Sequence, residues 1–140
     1  MKRLSIAVLF VALFAAVSFA EVQDFGAYTV DVPDGWTATP DGETVGIVKD
    51  DNSAAVSITY DSTDGASTKE LADAFVEALN GKNLEGSGDA FTFEMTNANG
   101  VDSKCFLFAE NGKYALIVAT GIENAPDEIS AIMDSLHDKD

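Results

Sequence analysis

The chain has 140 residues, of which 24 are acidic and 8 are basic, giving a formal net charge of −16. This negative field repels nucleic acid and anionic lipid headgroups, so neither is an expected partner. Cations or a protein partner with a basic surface fit the charge better, although acids spread through every loop also act as a solvated surface that keeps a protein monomeric. We therefore expect a monomer.

The first twenty residues have the pattern of a bacterial Sec-type signal peptide. Lys2 and Arg3 form a positive n-region, residues 4–17 form an apolar h-region, and Ser18 and Ala20 are the small residues of a cleavage site. The apolar run is shorter than the about 20 residues that a transmembrane helix needs. We expect cleavage after Ala20, a periplasmic or secreted protein without a stable membrane anchor, and a single domain at residues 21–140.

The mature part has one cysteine, Cys105, so it cannot form an internal disulfide. Cys105 shares strand parity with Val101 and Leu107, which predicts a small core side chain rather than a reactive thiol. The residues that remain after cleavage are enough for one domain with a hydrophobic core.

The first half of the domain predicts four strands separated by tight turns. Strands are predicted at residues 28–32, 36–39, 44–49 and 54–60, with apolar alternation in the first and the last of them. Residues 33–35, 40–42 and 50–53 have the Pro, Asp, Asn and Gly composition of turns. Trp36 directly follows the first turn, where an indole typically caps one end of the core; a ligand or partner platform is the alternative.

A helix is predicted next, at residues 67–79. Ser67 and Glu70 have the spacing of a capping box, and Asn80-Gly81 supplies a left-handed stop. The apolar face consists of Leu71, Phe75, Ala78 and Leu79. Residues 82–89 are rich in Gly and predict a loop.

The strongest local prediction is a hairpin centred on Asn111-Gly112. Both central positions of a type I′ turn need positive φ, and Asn-Gly provides it. A preceding strand at residues 91–96 joins this hairpin through a turn at Asn99-Gly100. Residues 114–119 are apolar without polar alternation, so both of their faces must be covered. We expect this strand to lie at the centre of the sheet.

A second helix ends the chain. Pro126 is placed in its first turn with acidic neighbours, and His137 falls in its predicted last turn. The apolar stripe consists of Ile129, Ile132, Met133 and Leu136. The elements together predict an α+β fold, with one antiparallel sheet of about six or seven strands and two amphipathic helices.

Residues 28–36, YTVDVPDGW, together with this order of elements resemble the PsbP-like family. That family includes the extrinsic photosystem subunit, exported bacterial relatives such as DcrB-like proteins, and a similar nuclear transport factor that binds a small GTPase. The resemblance implies an α/β/α sandwich and a role in binding or assembly rather than catalysis. His137 is the only histidine, so the metal-site histidines of photosynthetic members have no counterpart and a photosynthetic role is not carried over.

Catalytic motifs are absent from the sequence. It contains no G-x-S-x-G elbow, Walker A loop or Rossmann fingerprint, and one His with one Cys is too few for a usual zinc site. We therefore expect a protein that is not an enzyme. A small hydrolase that uses a pair of carboxylates is a third interpretation, and it requires a cleft with convergent polar groups.

The alternative to a purely protein-binding role is a Ca²⁺ or other cation site made of acidic loops. Asp41, Glu43, Asp61 and Asp64 fall in two loops that we expect at the same end of the sheet. Ca²⁺ takes six to eight oxygen ligands from such flexible loops. Turn-forming Asp residues that bind their own backbone explain the same pattern. The leading prediction is an exported, soluble, non-enzymatic interaction or accessory domain.

Overall fold

The computed structural model describes residues 20–96 and 100–138. Residues 1–19 of the predicted signal peptide, which covers residues 1–20, lie outside the described residues, as does Asn99 of the predicted Asn99-Gly100 turn. The described elements are β1 (Ala20–Asp24), β2 (Tyr28–Pro33), β3 (Trp36–Asp41), β4 (Thr44–Lys49), β5 (Ala55–Ser62), α1 (Thr68–Leu79), β6 (Lys82–Ser87), β7 (Ala90–Thr96), β8 (Asp102–Glu110), β9 (Lys113–Thr120), α2 (Pro126–Ser135) and β10 (His137–Asp138).

Seven of the strands form one antiparallel sheet in the order β3-β4-β5-β9-β8-β7-β6. β9 is its central strand, as the sequence predicts. Asn111 and Gly112 join β8 to β9 with φ values of 55° and 80°, which confirms the turn with two positive φ angles. The fold is therefore the α+β sandwich that the sequence predicts, with two helices on a seven-stranded antiparallel sheet.

The two faces of this sheet have separate cores. Ile117 of β9 is 1% exposed on the face that we call the front, where it packs with the apolar side chains of β2 and α2. Leu116 is 6% exposed on the back face, where it packs with Phe93 and with residues of α1. Burial of both neighbours confirms that β9 is covered on both sides.

The prediction of a single sheet is wrong for the first strand. β2 pairs with β1 and β10 in a small separate sheet, and its buried residues Val30 and Val32 pack onto the front face of the large sheet. The turn at Gly35 therefore carries the chain from one layer to the next instead of closing a hairpin. The Asp50 backbone N–H donates to the Gly35 carbonyl at 2.8 Å and fixes this corner to the end of β4.

The large sheet also has an edge strand that the sequence does not predict. Residues 82–87 form β6 rather than a loop, with an irregularity between Lys82 and Glu85 where Asn83 has φ 58°. Its side chains are mostly exposed, so no apolar alternation marks it. At the other edge, Pro40 lies inside β3 rather than in a turn, because an edge strand tolerates a missing N–H.

The capping box of α1 is confirmed. The Glu70 backbone N–H donates to the Ser67 hydroxyl at 3.1 Å, and the Ser67 backbone N–H donates to the Glu70 carboxylate at 2.8 Å. Asn80 ends the helix in the left-handed conformation. Ala78, which the sequence places on the apolar face, is exposed, whereas Ala72 is fully buried.

The last helix is shorter than predicted. α2 starts at Pro126 with Asp127 and Glu128 in its first turn, but it ends at Ser135. Leu136 adopts an extended conformation, so His137 leaves the helix and pairs with Thr29 in β10. The prediction of His137 in the last helical turn is therefore wrong, although Leu136 still packs against the front core.

Gly121, which connects β9 to the segment before α2, generates a prediction about stability. Its φ is 72°, and a Cβ there would lie against the carbonyl oxygen of Ser53 in the β4–β5 turn. We expect Gly121→Ala to lower the free energy of unfolding by about 2 kcal/mol or more, because backbone strain and this contact add.

Gly35→Ala is the matched control for urea unfolding. Gly35 also has positive φ, 88°, but nothing lies within 4 Å of a Cβ at this position. Only the backbone strain remains, and it costs about 1 kcal/mol. Equal losses in the two variants would contradict a steric constraint at Gly121.

Candidate functional site

The layers of the sandwich cover the two faces of the sheet unequally. On the back, α1 packs on β6, β7 and β8. On the front, the small sheet and α2 share a core with β3, β4, β5 and β9, and the outer strands β6–β8 contribute only Phe106 to it. Met133 of α2 and Leu136, the residue that follows the helix, mark the border of this uncovered region.

A cleft lies along that border because large and small side chains alternate across the sheet. Tyr60, Ala115, Phe108 and Ala90 stand directly opposite one another on β5, β9, β8 and β7. The two alanines leave a depression between and beside the aromatic rings, and Met133 and Leu136 form one wall. The cleft has a volume of about 580 Å³. Phe108 is 40% exposed within it.

Three charged residues also line the cleft. They are Asp89, Glu110 and Lys113, near the tip of the β8–β9 hairpin. The Thr68 hydroxyl donates to the Asp89 carboxylate at 3.2 Å, and the Ala109 N–H donates to the Asp89 carbonyl at 3.0 Å. The Asp89 loop is therefore held by both α1 and β8, which gives the cleft a fixed rim.

Tyr60 has a second aromatic ring behind it. The ring centroids of Tyr60 and Tyr28 are 5.1 Å apart and those of Phe25 and Tyr28 are 5.7 Å apart, with tilted rings in both pairs. Tyr28 is 3% exposed, and its hydroxyl has no hydrogen-bond partner within the described part of the chain. Burial raises the pKa of Tyr28 to about 12. This cluster of three aromatic rings supports the Tyr60 side of the cleft.

Among solved structures, the fold of this chain is similar to that in the solution structure of cyanobacterial PsbP (CyanoP) from Synechocystis. The TM-score is 0.56 at 13% sequence identity, over 87% of this chain and 91% of that chain. The fold is PsbP-like. No protein-family model matches the chain, and no curated protein matches it in sequence. No helix within residues 20–96 and 100–138 is long and apolar enough to cross a bilayer.

Trp36 acts as a cap in this PsbP-like sandwich. Its side chain is 6% exposed, and its indole N–H donates to the Glu128 carboxylate at 3.1 Å. It therefore ties β3 to the first turn of α2. This burial favours the predicted core cap over the alternative of a ligand or partner platform.

The four acidic residues of the predicted cation site are only partly brought together. Burial raises the pKa of Tyr114, and the charges of Asp61, Glu43 and Asp64 raise it further, so these three acids lie near one phenol. Asp41 lies at the end of β3, where it pairs with Thr44. No group of three His, Cys, Asp or Glu side chains within the described residues is arranged to hold a metal ion.

The carboxylates of these loops bond to their own turn. Asp61 accepts from the Ser62 backbone N–H at 2.8 Å, and Asp64 accepts from the Ser62 hydroxyl at 3.2 Å. These bonds are typical of turn-forming Asp residues. The geometry therefore favours the turn interpretation over a preformed cation site.

Cys105 and His137, the two residues that could form a nucleophile–base pair, lie on opposite faces of the sheet. Cys105 is fully buried in the back core, and burial raises the pKa of its thiol to about 11. His137 is exposed beside β2, in front of the sheet. A thiol that is protonated at neutral pH and enclosed by apolar side chains is a core group, as the sequence predicts.

The cleft residues were not predicted from the sequence. Tyr60, Phe108 and Ala90 each occupy an ordinary strand position, and only the pairing register brings them into one row. Of these residues, only Phe108 offers a signal of an exposed apolar site in the sequence. It is a large apolar residue on the same strand face as the charged Lys104.

The unpartnered Tyr28 hydroxyl predicts a stabilising substitution. Tyr28→Phe removes a buried polar group without changing the ring, so the free energy of unfolding at neutral pH should rise by about 1 kcal/mol. Urea unfolding of the variant and the parent protein measures this difference. A loss of stability would show that the hydroxyl is bonded in solution.

The same variant should change stability at alkaline pH. Folding raises the pKa of Tyr28 from 10.0 to about 12, so the unfolded chain ionises first. The contribution of the neutral Tyr28 phenol to the free energy of unfolding is therefore complete below pH 10, and it is lost as the pH rises towards 12. Tyr28→Phe should lose less stability across this interval than the parent. Tyr114, whose pKa is also raised, is present in both proteins and does not contribute to the difference. Equal losses would contradict the raised pKa of Tyr28.

Calcium should leave the melting temperature unchanged at millimolar concentration, because the acidic loops do not form a ligand group. A site at 100 times its Kd adds about 2.7 kcal/mol of stability. A thermal shift of that size, abolished by Asp61→Asn, would establish the cation-binding alternative instead.

Proposed function

We propose that this protein is an exported, soluble, non-enzymatic interaction domain that binds a protein partner through the cleft beside Phe108. The pattern of residues 1–20 supports export, and the PsbP-like fold supports an accessory role. A partner with a basic surface suits the net charge of −16.

The observation that carries the proposal is the exposure of Phe108 within a concave apolar surface. Aromatic side chains dominate the energetics of protein interfaces, particularly in pockets that a partner can desolvate. Phe108 lies between the fixed wall of Met133 and Leu136 and the small side chain of Ala90. An apolar anchor from a partner would fill the space over Ala115 and cover the Phe108 ring.

The shape of the cleft favours a protein partner over an enclosed small molecule. Sites for small ligands bury about 70–90% of the ligand surface. Here one side is open, because Phe108, Ala90 and Glu110 remain exposed. A hydrolase would need convergent polar groups within the cleft, whereas the Asp89 carboxylate is already bonded to Thr68 of α1.

Site-specific photocrosslinking tests the proposal in the producing cell. Benzoyl-phenylalanine at position 108 should form a covalent adduct with one partner protein, because the ring at this position contacts that partner. The same residue at position 48 is the control, since Val48 is similarly exposed but lies on the back face.

Failure to form an adduct at position 108, or equal adducts at both positions, would refute the cleft as the binding surface. Turnover of a small substrate that Glu110→Gln abolishes, with the melting temperature unchanged, would favour the hydrolase instead.

A further inference from the structure

The front face of β8 continues from the cleft towards Asp102, past the partly buried Phe106. Beyond Phe108, the next front-face positions on β8 are Phe106, opposite Ile117, and Lys104, opposite Ala119. A second cleft of about 280 Å³ lies at this end, with Ile122 and Ala119 among its lining residues. We call this surface the β8 groove: Phe108 and the partly buried Phe106 lie along it on β8, and Ile122, Met133 and Leu136 form its wall. The buried residues Ala115, Ile117 and Ala119 of β9 lie beneath that wall.

The charges along the β8 groove are predominantly negative. The two clefts are lined by two lysines, Lys104 and Lys113, and by five acids, Asp89, Glu94, Asp102, Glu110 and Glu123. The Lys104 Nζ atom lies 3.9 Å from a carboxylate oxygen of Glu94, so the positive charge of Lys104 is already offset within the groove. An occupant with cationic groups on both sides of an apolar strip would match this distribution.

The hydrogen bonding of the strands beneath the groove favours a helix over an extended segment as the bound element. β7, β8 and β9 each have a hydrogen-bonded strand on both sides, so their main-chain groups are already paired. An extended peptide on this face would leave its own N–H and C=O groups without sheet partners. A helix satisfies these groups internally, and α1 already covers the opposite face of β6, β7 and β8 in this way.

We propose that the β8 groove binds a cationic amphipathic helix of a protein partner. Its apolar face packs on Phe106 and Phe108, and its Lys or Arg side chains approach the acids at the two ends. The nine residues of β8 extend about 30 Å, the length of a helix of about 20 residues. The proposal rests on the proposed function and specifies the chemistry of the partner.

A pair of synthetic peptides of about 20 residues tests this. Both carry Leu at helical i, i+3, i+4 and i+7 positions; one has Lys and the other has Glu at the remaining exposed positions. Calorimetry with the exported protein should give saturable binding of the Lys peptide that weakens as salt is added. We expect the Glu peptide to bind at least about tenfold more weakly.

Phe108→Asp separates groove binding from general attraction to an acidic protein. The added carboxylate would strengthen non-specific binding of the Lys peptide, whereas loss of the anchor should weaken docking by about tenfold. Val48→Asp adds the same charge on the back face and should not weaken binding. Phe108→Ala, with its melting temperature measured, removes the ring without the charge and should also weaken binding.

Equal affinity for the two peptides, no binding of either, or binding of the Lys peptide that Phe108→Asp leaves undiminished would overturn the helix proposal. If crosslinks still form at position 108 in those cases, the cleft remains the binding surface and only the partner chemistry is wrong. Absence of both crosslinks and peptide binding would refute both proposals.

Discussion

Burial of β9 on both of its faces is the constraint on which the rest of the structure depends. Its neighbouring residues Leu116 and Ile117 point into different cores, so each face of the sheet needs a cover of its own. α1 supplies one cover, and the small sheet with α2 supplies the other. Because apolar burial is the main favourable contribution to folding, a strand without a polar face stabilises the sandwich only when both covers are in place.

The covers are offset, and that offset creates the candidate site. α1 lies behind the outer strands β6 to β8, whereas α2 and the small sheet lie in front of the other half. The front of β8 is therefore the place where the apolar floor of the central strand continues into solvent. Phe106 and Phe108 extend the core beyond its cover there, and the acids at the ends of the groove decide which partner charge it favours.

Local chemistry explains what the sequence could predict and what it could not. The Ser67 capping box and the Asn111-Gly112 turn depend on residues a few positions apart, so their patterns identify them directly. β6 was missed because an exposed edge strand has no apolar alternation. The pairing of β2 with β1, and the row that joins Tyr60 to Phe108, depend on contacts between distant segments that periodicity does not encode.

Residue-resolved native-state hydrogen exchange tests the central position of β9 most directly. The amides of residues 114–119 should exchange only through global unfolding, with the same free energy that urea unfolding gives for the whole domain. The edge strands β3 and β6 should exchange through smaller local openings. Exchange of the β9 amides as fast as those of β6 would contradict a doubly covered centre and the two-sided sandwich built on it.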